Sequence, residues 1–197
     1  FVGTVLQSKT THTANDLHWK DLVGVQLVGD KFTRTASSSG WGTSGAASVE
    51  MLPANEEGWF EFTTVTANKS IMVGYSPSNA DANWTSIKYA LYLNSGSLQV
   101  RENGGSTNYL GSGHTYQAGD RFRIERKNGK INYYKNGVFL LERNAVSDAL
   151  LIDFSINSSA GELAGFRSSF GVMTQDSISR RMVYDHAGRL LQTFHQV

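Results

Sequence analysis

The segment from residue 119 to residue 141 reads GDRFRIERKNGKINYYKNGVFLL, and it indicates the fold more directly than any other part of the chain. From Arg121 to Glu125, charged and apolar residues alternate, which is the pattern of a half-buried β-strand. Asn128-Gly129 and Asn136-Gly137 are typical of type I′ turns, because both central positions of such a turn need positive φ. The segment therefore predicts a three-stranded antiparallel meander.

The same alternation recurs along most of the chain. Composition agrees with it, since the 197 residues include 20 glycines, only two prolines and 18% charged residues. Short strands with frequent polar turns are typical of an all-β fold with two packed antiparallel sheets, a jelly-roll sandwich. The further predicted strands lie near residues 22–28, 31–35, 59–66, 71–76, 87–93, 97–101, 150–156 and 162–169.

The meander carries a family resemblance. Gly119-Asp120, the alternating strand and the two Asn-Gly turns are similar to the hairpins of concanavalin A-like lectin, laminin-G-like and SPRY-like domains. That resemblance implies a concanavalin A-like β-sandwich, in a group of domains that bind glycans or proteins. It does not identify the ligand, because one fold serves many functions.

A second resemblance lies at the two ends of the chain. Gly3-Thr4-Val5-Leu6-Gln7-Ser8 has a counterpart in Gly188-Arg189-Leu190-Leu191-Gln192-Thr193, and Tyr184-Asp185 precedes the second copy. The phrase resembles the Rhs or YD repeat of bacterial surface and toxin-delivery proteins. The resemblance implies three segments: the tail of one repeat at 1–13, a sandwich binding module at 14–172, and a linker with the start of the next repeat at 173–197.

The repeat resemblance also implies a setting. We expect the chain to be part of a larger exported protein, located outside the cell or on a bacterial cell surface, with neighbouring YD repeats as partners. The formal net charge is +1 and no basic run is present, so nucleic acid is not an expected partner. No apolar run is long enough to predict membrane insertion, and the absence of cysteine excludes thiol chemistry.

Enzymatic function is not predicted, although alternatives stay open. Glycoside hydrolases need two carboxylates at a set separation, and no such pair stands out in the sequence. Tyr133-Tyr134-Lys135-Asn136-Gly137 resembles a strand motif of jelly-roll alginate lyases, but the other lyase motifs are absent. The leading prediction is a non-catalytic carbohydrate-binding module without a cofactor. A polysaccharide lyase or a glycoside hydrolase is a less favoured alternative.

Aromatic residues in the predicted loops are the candidate ligand contacts. Trp41, Trp84 and Tyr109 lie outside the alternating pattern, among small and polar neighbours. An aromatic face can stack on the apolar face of a sugar, while nearby polar side chains bind its hydroxyls. We expect these three rings to stack on a glycan or polysaccharide, with hydrogen bonds from Asp81, Asn83, Arg101 and Asn103.

Each candidate has an alternative interpretation. Trp41 and Trp84 could each close an open end of the sandwich core instead. Trp19 and Trp59 occupy strand positions and are expected in the core. Asn79, Asp81 and Asn83 resemble the start of a calcium loop without its later acidic ligand, so calcium is a weak candidate. The domain could also be a protein-binding or spacer module, in which case its loop aromatics would form an exposed apolar patch.

Overall fold

A computed structural model describes residues 17–171 in full, together with the backbone of three short strands outside that range. The chain divides into two compact units. One comprises Ala14–Val172, and the other comprises Phe1–Thr13 with Met173–Val197. Within the described ranges, no helix has the length and apolar character needed to cross a membrane.

Residues 17–171 form a succession of short strands and a single turn of 3-10 helix at Trp84–Ser86. In chain order the strands are β2 (Trp19–Val23), β3 (Val25–Val28), β4 (Lys31–Arg34), β5 (Gly45–Leu52), β6 (Gly58–Thr64), β7 (Ser70–Ser76), β8 (Tyr89–Asn94), β9 (Ser97–Glu102), β10 (Arg121–Lys127), β11 (Lys130–Lys135), β12 (Val138–Asn144), β13 (Leu150–Ile156) and β14 (Glu162–Ser168).

These strands form two antiparallel sheets. The seven-stranded sheet has the order β12-β11-β10-β6-β14-β4-β3, and the six-stranded sheet has the order β2-β5-β13-β7-β8-β9. Strands that are distant in sequence therefore lie side by side, as β6 does between β10 and β14. The predicted all-β, two-sheet antiparallel sandwich of jelly-roll type is confirmed.

The meander of β10, β11 and β12 forms as the two Asn-Gly dipeptides predict. Asn128 and Gly129 have φ of 51° and 69°, and Asn136 and Gly137 have φ of 52° and 79°. These left-handed values are the ones that a type I′ turn requires. Turn chemistry, a local property of the sequence, thus fixes the order of three strands.

The core lies between the two sheets and is rich in aromatic rings. Phe60 and Phe62 of β6 are fully buried, and the Phe60 ring lies 4.7 Å from Tyr75 on the opposite sheet. Trp19 packs edge-on against Phe32 at 4.8 Å, so its predicted core position is confirmed. The prediction for Trp59 is wrong: it alternates with Phe60 and therefore faces outward, beneath the guanidinium of Arg123 at 4.2 Å.

A buried arginine joins two loops at one end of the sandwich. Arg126 is 4% exposed, and its Nε donates to the Glu56 carbonyl at 2.7 Å. Its Nη1 donates to the Asp148 carbonyl at 2.5 Å, and its Nη2 donates to the Pro53 carbonyl. Several carbonyl oxygens therefore compensate the buried charge.

The smaller unit contains β1 (Thr4–Val5), β15 (Ser179–Tyr184) and β16 (Leu190–Gln196) in the order β1-β15-β16. Thr4 pairs with Val183 across the first antiparallel ladder. Residues 185–189, which include the Asp and Gly of the repeat-like phrase, lie outside the described residues. The interpretation of these flanks as YD-type repeats stays a prediction.

Candidate functional site

An aromatic cluster lies on the face of the six-stranded sheet that points away from the core. Met72 of β7 and Tyr92 of β8 alternate with core residues and therefore point outward. Trp41 and Trp84 pack against them from two loops. The Trp41 ring centroid lies 6.2 Å from that of Trp84 and 5.7 Å from that of Tyr92. Together with Arg101, these three rings form what we call the tryptophan cluster.

Arg101 provides the charged part of the cluster. Its guanidinium carbon lies 4.4 Å from the centroid of Tyr92 and 5.8 Å from that of Trp84, within the range of a cation–π interaction. Its Nε donates to Gln99 Oε1 at 3.1 Å, which orients the guanidinium plane. Because Trp41 and Trp84 are only partly buried, aromatic surface and polar donors are presented to solvent together.

The loop that carries Trp84 is built by its own polar side chains. Asn83 is the N-cap of the 3-10 helix, and its Oδ1 accepts a hydrogen bond from the Thr85 N–H at 3.4 Å. Asp81 Oδ1 accepts one from the Asn83 N–H at 2.8 Å. One side-chain oxygen of Asp81 and one of Asn83 therefore hold the loop in shape, which is a common use of Asp and Asn in turns.

The loop that carries Trp41 is anchored by a second buried arginine, Arg34, which is 5% exposed. Its guanidinium donates to Ile156 O at 3.1 Å, to Ala36 O at 3.3 Å, to Thr43 Oγ1 at 2.5 Å and to the Ser38 carbonyl. The guanidinium donors of Arg34 therefore fix the loop against Ile156 of β13, since each hydrogen bond restrains a different residue.

The two loops meet above the sheet. A Cβ built on Gly42 would stand 3.4 Å from Asn83 Nδ2, so the Trp41 loop touches the N-cap of the Trp84 turn. Ser155 of β13 donates from its Oγ to the Ala82 carbonyl at 2.7 Å and ties the second loop to the sheet. The positions of both tryptophans thus depend on β13.

Asp153 lies beneath the Trp84 turn on β13. It is 2% exposed, and its Oδ2 lies 3.0 Å from Ser76 Oγ and 3.1 Å from Ser86 Oγ. Burial raises the pKa of Asp153 to about 7, against hydrogen bonds from the two serines that act to lower it. Perturbed pKa values are concentrated at functional sites, although structural networks produce them as well.

The structure brings some of the predicted residues together and separates others. Trp41, Trp84 and Arg101 belong to the tryptophan cluster, and Asp81 and Asn83 form the adjoining loop. Asn103 Oδ1 accepts a hydrogen bond from Lys88 Nζ at 3.1 Å. Tyr109 packs under the guanidinium of Arg143 at 3.9 Å, and Arg143 in turn binds Glu102, which follows Arg101 and points to the opposite side of β9. Tyr109 therefore has no ring contact with the cluster among the described residues.

The candidate calcium loop is folded through contacts of its own. Asn79 Nδ2 donates to Asp21 Oδ2 at 3.1 Å, while Asp81 Oδ1 is occupied by the Asn83 N–H. In the part of the chain that the structure describes, no group of three or more His, Asp and Glu side chains is arranged to hold a metal. Calcium binding at Asn79, Asp81 and Asn83 stays a weak prediction.

A polar cleft of about 370 Å³ lies on the outer face of the other sheet. Its central side chains are already paired: Arg123 binds Glu61 at 2.7 Å, and Tyr134 Oη donates to Glu125 Oε2 at 3.0 Å. Burial and the hydrogen bond to Glu125 raise the pKa of Tyr134. A raised pKa disfavours the phenolate that a tyrosine base would need.

Lys135 and Asn136 of the lyase-like segment both make structural contacts. Lys135 Nζ lies 2.8 Å from Asp120 Oδ2 and donates to the Thr115 carbonyl at 2.7 Å. Asn136 Oδ1 accepts the Arg121 N–H at 2.8 Å, and its Nδ2 donates to Asp120 Oδ1 at 2.8 Å. These contacts stabilise the turn between β11 and β12.

Sequence reasoning missed three residues that shape the candidate site. Tyr92 looked like an ordinary strand residue, and its outward direction follows only once the core side of β8 is known. Arg34 ends a short strand without any distinguishing motif. Asp153 did carry a signal, because it interrupts the apolar strand Leu150–Ile156, and an aspartate there needs a special environment.

Comparison with known proteins identifies the fold. No family model matches the chain, and no curated protein matches it in sequence. Among solved structures, a human SPRY domain has a TM-score of 0.57 and 16% sequence identity over 76% of this chain and 96% of that one. A point mutant of the Emp46p carbohydrate recognition domain has a TM-score of 0.55 and 12% identity, with coverage of 80% and 89%.

A third similar structure is the VIP36 exoplasmic/lumenal domain in a Ca²⁺/Man-bound form. It has a TM-score of 0.54 and 9% identity, and 91% of each chain is covered. At such low identities the likeness shows the fold alone. The domain has the lectin-like and SPRY-like β-sandwich fold of the concanavalin A type.

Proposed function

We propose that the domain is a non-catalytic carbohydrate-binding module whose ligand stacks on the tryptophan cluster. The observation that carries the proposal is the pair of partly exposed indoles, 6.2 Å apart and inclined by 59°, beside the guanidinium of Arg101. Two inclined aromatic faces suit the apolar faces of adjoining sugar units, and a fixed cation suits their hydroxyl oxygens. The lectin-like neighbours among solved structures support this choice of ligand class.

The proposed roles follow from position. Trp41 and Trp84 stack on the sugar, and Arg101 donates hydrogen bonds to it. Asp81 and Asn83 each retain one side-chain polar atom that is not used within the loop, and these atoms accept from or donate to sugar hydroxyls. Asn103 precedes Gly104, which packs against Thr85 of the Trp84 turn, so its side chain is available beside that loop. Tyr109, which packs under Arg143, would contact only a longer polysaccharide.

Alanine substitutions at the two tryptophans test the proposal. The wild-type domain is first screened on an array of plant, algal and bacterial glycans, and the best ligand is then titrated calorimetrically. Trp41→Ala and Trp84→Ala should each weaken binding by about tenfold or more, because a buried stacking face is lost. Trp59→Ala is the matched control, since Trp59 is a partly exposed tryptophan on the other sheet. Unchanged affinity in both cluster variants would overturn the site.

The larger setting is also part of the proposal. We infer that the module is inserted between YD-type repeats of an exported bacterial protein and acts outside the cell. Support comes from the two related phrases that flank the sandwich and from the pairing of the N-terminal strand β1 with β15 near the C-terminus. Protease shaving of intact cells that express the parent protein tests the location, because a cytoplasmic protein would remain uncleaved.

A protein-binding role is the second candidate. The edge strands β2 and β3 expose apolar side chains, among them Leu22 at 45% and Val28 at 64%. Exposed apolar surface on neighbouring edges is suited to a protein partner. If this role is correct, Leu22→Ser with Val28→Ser abolishes capture of a protein partner, whereas Trp41→Ala leaves that capture intact.

A further inference from the structure

The buried carboxyl of Asp153 occupies an unusual place on its sheet. Its neighbours across the two adjoining strands are Ala47 on β5 and Gly74 on β7, which are small and not ionisable. Ile87, just after the 3-10 helix, covers Gly74, since a Cβ there would stand 2.7 Å from Ile87 Cγ2. The carboxyl therefore points into a closed space under the turn that carries Trp84.

The hydrogen-bond acceptors in this space outnumber the protons that the two serine hydroxyls can donate. Ser86 Oγ is within reach of two acceptors, Asn83 O at 2.8 Å and Asp153 Oδ2 at 3.1 Å. Ser76 Oγ is likewise within reach of Ser86 O at 3.2 Å and of Asp153 Oδ2 at 3.0 Å. Each hydroxyl has one proton to donate. Two hydroxyl protons cannot make all four of these hydrogen bonds at once, although Asn83 O also accepts the Ser86 N–H at 3.4 Å.

Protonation of Asp153 changes this balance. A neutral carboxyl donates its proton to one serine oxygen, and that serine then donates its own proton to a backbone carbonyl. The turn across Trp84 is closed by main-chain bonds from the Ser86 N–H to Asn83 O at 3.4 Å and from the Ile87 N–H to Trp84 O at 3.1 Å, and donation by the Ser86 hydroxyl to Asn83 O tightens it. When the carboxyl is ionised, both serines donate to it instead, and the turn loses that bond.

The charges that face Asp153 favour the neutral form. Asp81, in the loop before the turn, and Asp21, on β2, both act to raise its pKa, although less than burial does. Lys20, also on β2, is exposed and has no hydrogen bond or ion pair with Asp153. β5 and β7 place no ionisable side chain opposite it in the ladder. Ionisation of Asp153 is therefore delayed until the solution is close to neutral.

We propose that Asp153 is a proton-linked positioning residue, whose neutral carboxyl tightens the Asn83–Ser86 turn and holds Trp84 in the tryptophan cluster. One consequence rests on the proposed function: the domain binds its ligand more tightly in mildly acidic solution and more weakly once Asp153 is ionised. The change in the turn itself does not depend on any ligand.

The first test therefore uses no ligand. In a ¹⁵N-tryptophan-labelled domain, kept in chelator to exclude bound cations, we expect the indole resonance of Trp84 to shift with a midpoint near pH 7. The resonance of Trp59 on the other sheet serves as an internal control and should stay constant. In Asp153→Asn, whose amide is neutral at every pH, the Trp84 resonance should not titrate. The proposal would be overturned if the Trp84 chemical shift in the wild type did not change with pH, or if Asp153→Asn showed the same change as the wild type.

A second variant guards against misfolding of the first. Ser86→Ala removes the hydroxyl that relays the proton to the turn and leaves the carboxyl in place. Asp153 should still titrate, as followed by its side-chain ¹³C resonance, but the Trp84 response should fall to less than half of that in the wild type. An undiminished Trp84 response in this variant would contradict the relay.

A ligand is used only in the last of these experiments. For a glycan selected on the array, the affinity of the wild type should fall by about threefold to tenfold between acidic and alkaline solution, the equivalent of one hydrogen bond. The affinity of Asp153→Asn should not change with pH. If no glycan binds at any pH, the proposed function fails, whereas the Trp84 titration still decides the role of Asp153.

Discussion

Arg101 and Tyr92 are diagonal neighbours on adjacent strands, and the guanidinium of Arg101 lies 4.4 Å from the Tyr92 ring centroid. In the ladder, Arg101 pairs with Ala90, and Tyr92 pairs with Gln99. The small side chain of Ala90 leaves room for the guanidinium over the ring. The strand register therefore places a cation where two loops deliver their tryptophans.

Replacement of this arginine should reduce binding while the domain stays folded. Arg101→Lys keeps the charge but loses the planar guanidinium, so we expect glycan affinity to fall by about fivefold. Calorimetric titration of the array-selected glycan measures the effect. Arg121→Lys, at an exposed arginine on the opposite sheet, is the matched control and should bind like the wild type.

Loss of the Arg34 anchor should affect both stability and ligand binding. Arg34→Met leaves several carbonyl oxygens without a donor, and we expect the free energy of unfolding to fall by about 2–4 kcal/mol. Urea denaturation measures this change. The emission of Trp41 should also shift to longer wavelength, because the loop is no longer fixed. A variant with wild-type stability would contradict the role of Arg34 as an anchor.

Removal of one buried hydroxyl should stabilise the fold. Tyr133 is fully buried, and its Oη has no hydrogen-bond partner within the described residues, so burial raises its pKa far above the usual range. Tyr133→Phe should increase the free energy of unfolding by about 1 kcal/mol. Tyr89→Phe should have the opposite effect, because the Tyr89 hydroxyl donates to Asn144 O and accepts the Val146 N–H. Thermal denaturation of the two variants provides the comparison.

Stability should depend on pH through Asp153. Its pKa is about 7 in the folded state against an ordinary value of 3.8, so the folded state binds this proton more tightly than the unfolded state. The contribution of Asp153 to stability is therefore complete below about pH 4 and decreases as the pH rises to about 7, by at most about 4 kcal/mol.

Other carboxyls act in the opposite direction, which makes the choice of control important. The ion pair of Glu162 with Lys31 lowers the pKa of Glu162, so its contribution is present at neutral pH and is lost on acidification. The prediction therefore concerns the difference between the wild type and Asp153→Asn in urea denaturation. That difference should change between about pH 4 and about pH 7, and a constant difference would contradict it.

Local patterns predicted most of the fold. The Asn-Gly turns fixed the meander, and the alternation in β6 and β10 placed Phe60 and Phe122 in the core. Trp59 shows the limit of residue-type arguments, because its position in the alternation, and not its hydrophobicity, sets its outward direction. Arg126 shows a second limit: its buried charge is balanced by carbonyls from loops that are remote in sequence, which no local pattern reveals.

The candidate site was only partly predictable for the same reason. Trp41 and Trp84 were identified because they interrupt polar loops, and the pairing between them was not visible in the sequence. Their meeting depends on β13, which lies between β5 and β7 although it is distant from both in the chain. Asp153 gains its raised pKa from that arrangement. A single strand alternation cannot predict an environment made by three strands and two loops.

The anchoring of the Trp41 loop has a practical consequence for engineering. Arg34 holds this loop through main-chain oxygens and one threonine hydroxyl, and a main-chain oxygen is present whatever the side chain. Residues 37–39 and 41 can thus be randomised while Arg34 and Thr43 are kept, without removing the support of the loop. The domain, which contains no cysteine, then becomes a scaffold for displayed libraries that select new binding specificities.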